Sequence, residues 1–309
     1  MPDVVQVTGG DYEHTLGLAG TRRGIDIRYE TAPLRDVFMR MLNDRCYEVC
    51  EFSLSNYLML KDRGADWLHA IPVFPYRAFR HSTLYVRKDS PLHEPADLRG
   101  KRVGVPDFSM TAAVWTRGIL ADQYGVQWSD LHWVVGGKQR FGALPGVALE
   151  TLVGDLERML VDGLIDALLT PQTADERKPD GERTLRPLIG DGQAAEESYY
   201  LAFGIYPINH VIVIRDDILR RLPELPRALF EAYTDAKSRA YARQLGATLV
   251  PWGARHWART FDMFGGDPLP YGLNEINRKV VARLAKHLFD QKLIAREPDV
   301  MKLFVPGDQ

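Results

Sequence analysis

"PINHVIVIRDDIL", residues 207 to 219, decides how the chain is organised. Four consecutive apolar residues with β-branched side chains, Val211 to Ile214, read as a buried strand rather than a helix turn. The long helical pattern PRALFEAYTDAKSRAYARQ follows at once. A strand this late needs a sheet to join, and the first third of the chain supplies one. VVQVTG, DIRYE, YEVCEF and HAIPVF alternate there with helical stretches over LRDVFMRML and SNYLMLKDR, the pattern of an α/β fold with a mostly parallel sheet.

Between these parts lies a second α/β run. It holds a strand at 83 to 87, the strand KRVGV, a helix from Met110 to Tyr124 stopped by Gly125, LHWVVGG, a helix near DLERMLVDG and the strand IDALLTP. DERKPDGERT reads as exposed loop. The pattern predicts two α/β lobes crossed at about 85 and about 205. Lobe 1 takes residues 1–84 and 206–309, lobe 2 takes 85–205, and a ligand cleft between the lobes follows, with ligand groups at the carboxyl ends of strands.

Composition narrows the partners. Of 309 residues, 45% are hydrophobic and 26% charged, which suits a folded chain. The 39 basic and 41 acidic residues nearly cancel, so no field attracts nucleic acid. No run approaches the ~20 apolar residues of a membrane span. MPDVVQVTGGDYEHT has neither a basic n-region nor an apolar h-region, from which a cytoplasmic setting is expected. Cys46 and Cys50 are the only cysteines; four apart in a strand-like segment, they are expected to share a face as buried free thiols.

Motif searches exclude more than they find. G-x-G-x-x-G, G-x-x-x-x-G-K-[ST], G-x-S-x-G and H-E-x-x-H are absent. The stretch FRHSTLYV places Arg80, His81 and Ser82 at the entrance of the 83–87 strand, where a surface cation beside a solvated imidazole is the ordinary explanation. In GVPDFSMTAAVW a strand runs into a helix that Ser109 or Thr111 could cap, with free N–H groups suited to an anion. Arg117 lies two turns further on, either solvated or functional, and Trp115 reads as core. His210 sits in an apolar strand at the second lobe crossing, either as a satisfied buried imidazole or facing one cavity with Arg80 and His81. Glu51 ends a first-lobe strand, with Ser53 and Ser55 beyond it; it could bind ring hydroxyls or form a capping box.

GDYEHT, EVCEFSLSNYLM, AIPVFPYRAFRHSTLYV, GKRVGVPDFSMTAAVWTRGIL, GIYPINHVIVIR and LPYGLNEINR, in this order over nearly the whole chain, resemble the 4,5-dihydroxyphthalate decarboxylase family. The stretches at about 137–152 and 172–185 depart from the pattern. The resemblance implies a two-lobed type II periplasmic-binding-protein-like fold. It also implies decarboxylation of 4,5-dihydroxyphthalate to 3,4-dihydroxybenzoate and CO2 by protonation of ring carbon. No cofactor is needed on this reading, because the phenol supplies the electrons.

The roles that follow are expectations. His81 is the leading proton donor, and His210 orients or deprotonates a phenol. Arg80 and Arg117 clamp carboxylate, with Ser82 beside them. Ser109 and Thr111 with the helix N-terminus form a second anion site, and Glu51, Ser53 and Ser55 meet ring hydroxyls. The expected partner is a small aromatic dicarboxylate, not nucleic acid, membrane or metal; a homo-oligomer is left open.

Three rivals remain on the sequence alone: a binding protein without chemistry, a metal-assisted decarboxylase, and a thiamine-pathway pyrimidine synthase. Two cysteines argue against the last.

Overall fold

The computed structural model describes residues 3–142, 144–246 and 250–306. The described residues fall into two compact units, 3–77 with 210–278 and 298–306, and 78–209 with 279–297. The crossings therefore lie at 77/78 and 209/210 rather than at 84/85 and 205/206. Residues 279–297, expected in the first lobe, go with the second unit.

The first unit holds β1 (Asp3–Gly9), β2 (Gly20–Arg22), β3 (Ile25–Thr31), α1 (Leu34–Asp44), β4 (Val49–Ser53), α2 (Leu54–Asp62) and β5 (Leu68–Ile71). The second holds β6 (Leu84–Arg87), β7 (Arg102–Val105), α3 (Thr111–Tyr124), β8 (His132–Val135), β9 (Leu149–Thr151), α4 (Leu156–Val161), β10 (Ala167–Leu169), β11 (Leu185–Pro187) and α5 (Gly192–Phe203). The chain then returns through β12 (His210–Arg215), α6 (Asp216–Arg221), α7 (Leu225–Leu245) and α8 (Gly253–Phe264) to α9 (Glu275–Asp290), which starts in the first unit and ends in the second.

β12 does what its β-branched run predicts: it joins the first sheet, whose order is β2-β3-β1-β4-β12-β5. β1 is parallel to β3 and β4, while β12 runs antiparallel between β4 and β5. Val5, Val7, Ile27, Val49, Ile212 and Ile214 pack with Leu229, Ala232 and Tyr233 of α7 into a buried core. Each valine, isoleucine or leucine among them contributes about 1.5–3 kcal/mol by leaving water.

The second sheet, β11-β6-β10-β7-β8-β9, repeats the device, with β7 parallel to β8 and β10, and β6 antiparallel beside β10. Its core holds Tyr85, Val134, Leu156, Leu160, Ile165 and Leu168. Among the described residues, no helix is long and apolar enough to cross a membrane.

Several local expectations are corrected. α3 has Met110 at its N-cap, whose side chain makes no capping hydrogen bond; Ser109, one residue earlier, donates its N–H and hydroxyl to Asp107 Oδ1 at 2.9 and 2.5 Å. Thr111 is instead the first helical residue, and it is buried. Cys50 is buried in β4, but Cys46 precedes the strand and is exposed, so the two thiols do not share a face. The stretch 175–184 is not uniformly exposed: buried Asp175 accepts from the backbone of Thr184 and Leu185 and from Lys178. Helix α5 carries no strong apolar period and is not legible in the sequence.

Candidate active site

Register builds the first constellation. In the antiparallel pair of β4 and β12, His210 stands opposite Ser53 and Ile212 opposite Glu51. Directly opposed residues share a sheet face and diagonal neighbours lie within reach of long side chains, so Glu51 and His210 are diagonal partners on the face that carries the α7 core. Their contact is direct, His210 Nδ1 to Glu51 Oε1 at 2.5 Å.

Glu51 is 1% exposed and also accepts from the Gly10 N–H and the Tyr12 hydroxyl, each at 2.9 Å. Three donors make a buried carboxylate tolerable. Gly9 explains how they fit. A Cβ there would stand 2.6 Å from the Tyr29 hydroxyl and 3.3 Å from Glu51 Oε2, so only a glycine lets both approach the end of β1. Glu51 thus forms no capping box with α2. Ser53 instead contacts Ser55, Oγ to Oγ at 3.3 Å.

Aromatic rings hold the imidazole. Tyr76 stacks on His210 with centroids 4.9 Å apart, and Phe38 meets it edge-on at 5.0 Å. Tyr12 stacks in turn on His14, at 5.0 Å. His14 Nε2 donates to the Pro75 carbonyl at 2.8 Å, and burial lowers its pKa, with the Pro75 contact opposing. Because a carbonyl only accepts, His14 carries a hydrogen on Nε2. Burial first, then the Glu51 charge, raises the Tyr12 phenol. Glu51 engages Nδ1 of His210, so Nε2 is the ring nitrogen turned away from that carboxylate contact.

The second unit has its own cluster. Arg80 is buried and directs Nε and Nη2 to Asn209 Oδ1 at 3.0 and 2.6 Å. Asn209 is anchored in turn by donating to the carbonyls of Pro207 and Ala78. His81 begins a 3-10 turn, is 1% exposed, and contacts Gln123 Oε1 through Nε2 at 2.9 Å. Burial holds its pKa below the ordinary imidazole value. Tyr199 of α5 meets the ring edge-on at 5.5 Å. Glu196, on the same helix, is raised to about 7 by burial, with Arg80 opposing. Ser82 lies against the start of α5, where a Cβ at Gly192 would come within 2.2 Å of its Oγ.

Arg117 does not serve as an open clamp. It is fully enclosed, with Nε on Gln291 Oε1 and Nη2 on the Phe108 carbonyl, both at 2.7 Å, and its guanidinium lies 3.7 Å from the Phe108 ring. The Asp107 carboxylate beside the start of α3 likewise opposes an anion at Ser109 and Thr111. Of the expected residues, Glu51 and His210 come together in one unit, and Arg80, His81 and Ser82 in the other.

The sequence reading missed Tyr12, His14, Tyr76, Gln123, Glu196 and Asn209. GDYEHT, at the carboxyl end of a parallel strand, was a usable signal for the first two. Among the described residues no group of three His, Cys, Asp or Glu side chains is placed to hold a metal ion.

No family model matches the chain. It is 33% identical over 298 residues to a 4,5-dihydroxyphthalate decarboxylase of Comamonas testosteroni, covering 92% of this chain and 90% of that protein. A 4,5-dihydroxyphthalate decarboxylase of Pseudomonas putida is 35% identical over 193 residues, 58% of this chain and 73% of the other. Among solved structures, the periplasmic aliphatic sulphonate binding protein SsuA of Escherichia coli superposes with a TM-score of 0.59 at 14% identity over 98% of each chain. The desulfurization enzyme DSZB gives 0.51 at 14% identity over 98% of this chain and 96% of that one. At such identities the solved structures speak for the fold alone, a two-lobed α/β architecture of the periplasmic-binding-protein kind.

Proposed function

This chain belongs to the 4,5-dihydroxyphthalate decarboxylase family, a family of carboxy-lyases, and we propose that its own reaction converts 4,5-dihydroxyphthalate to 3,4-dihydroxybenzoate and CO2. The Glu51–His210 contact carries the mechanistic reading. A carboxylate on Nδ1 orients the imidazole, leaving Nε2–H to act as general acid in the proposed step.

The hydroxyl para to the departing carboxylate pushes electron density into the ring. Nε2–H of protonated His210 then gives its proton to the carbon bearing that carboxylate. The ring–carboxylate bond breaks, its electron pair restores aromaticity, and CO2 leaves. His210 is left neutral and takes a proton from solvent for the next turnover. The phenol supplies the electrons, so no step as proposed routes through a cofactor.

In the first unit Tyr12 and His14 are the proposed partners of ring hydroxyls; in the second, taken by itself, Arg80 is the proposed carboxylate-binding group. His210 replaces His81 as leading acid, because burial disfavours a protonated His81. Incubation with 4,5-dihydroxyphthalate, following CO2 and the ring product, tests the reaction. Ligand-induced thermal stabilisation without CO2 release would instead make the chain a binding protein.

A further inference from the structure

His81 presents a buried atom that the mechanism above leaves unused. Its Nδ1 lies out of contact with solvent, and among the described residues nothing donates to it. Neighbouring groups settle what kind of atom this is. The Gln123 side chain touches two partners, His81 Nε2 at 2.9 Å and the Ala195 carbonyl at 3.3 Å. A carbonyl can only accept, so the amide nitrogen faces Ala195 and the amide oxygen faces His81; the reverse orientation would press two carbonyl oxygens together. Gln123 Oε1 therefore requires a hydrogen on His81 Nε2. Neutral imidazole carries one ring hydrogen, so Nδ1 is left as a bare lone pair.

The ring is also held in place. Tyr199 packs edge-on against it, and Gln123 is tied to the α5 backbone, so the lone pair has a fixed direction. An acceptor buried without a donor is costly, by about 1–3 kcal/mol, and such a cost persists where a ligand relieves it.

We infer that His81 Nδ1 is a recognition point for a ligand O–H group, set to accept a hydrogen bond from a phenol and to discriminate hydroxylated aromatic dicarboxylates from those lacking the hydroxyl. A carboxylate offers no hydrogen and is not its ligand; that task falls to the neighbouring Arg80. This inference rests on the reading of the substrate as a hydroxylated aromatic dicarboxylate, and it gives His81 the role of hydroxyl acceptor in place of proton donor.

Ring-nitrogen NMR of the protein carrying isotope-labelled histidine, assigned by the signals lost in His81→Asn, reads the atom directly. The free protein is expected to show Nε2 protonated and Nδ1 bare. Saturating 4,5-dihydroxyphthalate should move the Nδ1 signal toward the hydrogen-bonded position, and phthalate should not.

Binding supplies the second readout. In wild type the dissociation constant for phthalate should exceed that for 4,5-dihydroxyphthalate, and His81→Ala should shrink this ratio about tenfold, the worth of one hydrogen bond. His81→Asn, whose amide oxygen can sit near the position of Nδ1, should keep most of it. An Nδ1 signal that responds to both ligands alike or to neither, a protonated Nδ1 in the free protein, or an unchanged ratio in folded His81→Ala overturns the inference; where that variant does not fold, the NMR result decides.

The two readings fail separately. An Nδ1 response without CO2 release sinks decarboxylation and leaves the recognition point standing. CO2 release with an unresponsive Nδ1 does the reverse, and failure of both ligands to bind overturns both.

Discussion

Replacing Glu51 with Gln tests the acid at its source. The substitution keeps the side-chain shape: the amide oxygen can take the place of Oε2 and accept from the Gly10 N–H, while the amide NH2, in the place of Oε1, can donate to the oxygen of the Tyr12 hydroxyl, each contact being 2.9 Å in the native protein. What it removes is the negative charge 2.5 Å from His210 Nδ1. At an effective dielectric of about 20, two unit charges about 4 Å apart interact by about 4 kcal/mol before the cost of desolvating them is counted. A hydrogen bond to a charged group contributes about 1.5–3 kcal/mol net.

Because Glu51 holds the proposed acid in place for the chemical step rather than binding substrate, most of this loss should appear in kcat. At about 1.4 kcal/mol per decade, Glu51→Gln should lower kcat about 10- to 150-fold and leave KM within about threefold. The assay follows CO2 release and formation of 3,4-dihydroxybenzoate across substrate concentrations, with the circular dichroism spectrum as the control for folding. A folded Glu51→Gln protein turning over within twofold of wild type would remove the dyad from the mechanism. Glu51→Ala is the poorer probe, since it strands two buried donors and confounds activity with stability.

Gly9→Ala would drive a methyl group into the Tyr29 hydroxyl and toward Glu51, so kcat should fall at least tenfold while the far-ultraviolet spectrum is retained. Asn209→Ala releases the Arg80 fork; KM for the dicarboxylate should rise about tenfold with kcat changed less, and equal falls in kcat and kcat/KM would argue against Arg80 as an anchor. Arg117→Leu should lower the thermal midpoint by several degrees, because Gln291 and the Phe108 carbonyl lose a buried partner, yet leave KM within twofold; a large KM increase would restore Arg117 as a clamp.

Stability should also depend on pH. His14 and His81 have folded pKa values depressed by burial, so the unfolded chain binds their protons first and stability falls as pH drops below the ordinary value of about 6.5. Glu196 acts in the opposite sense. Its pKa is raised to about 7, so stability is lost as pH climbs from the ordinary carboxylate range toward 7, and Glu196→Gln should raise the thermal midpoint more at pH 8 than at pH 5. An equal rise at both pH values would show that Glu196 does not titrate as described.

The alternation of strands and helices and the β-branched run at 211–214 were enough to read a two-lobed α/β chain, because period and side-chain branching are local properties that the backbone obeys wherever it goes. Arg80 and His81, just before β6, and His210, the first residue of β12, were legible as candidates from their place in the strand pattern; Glu51 was read as ending its strand, whereas it is the middle residue of β4. Their roles were not legible. Glu51 and His210 are 159 residues apart, and only the register of β12 on β4 makes them diagonal neighbours. Ser109 looked like a cap, but α3 starts at Thr111 with Met110 as its N-cap, and Arg117 looked like a clamp until Gln291, 174 residues on, enclosed it.

The tautomer of His81 depends on a glutamine from α3 and a carbonyl from α5, a helix without an apolar period to announce it. A charge or lone pair takes its meaning from the groups within about 4 Å, and the chain chooses those groups only when it folds.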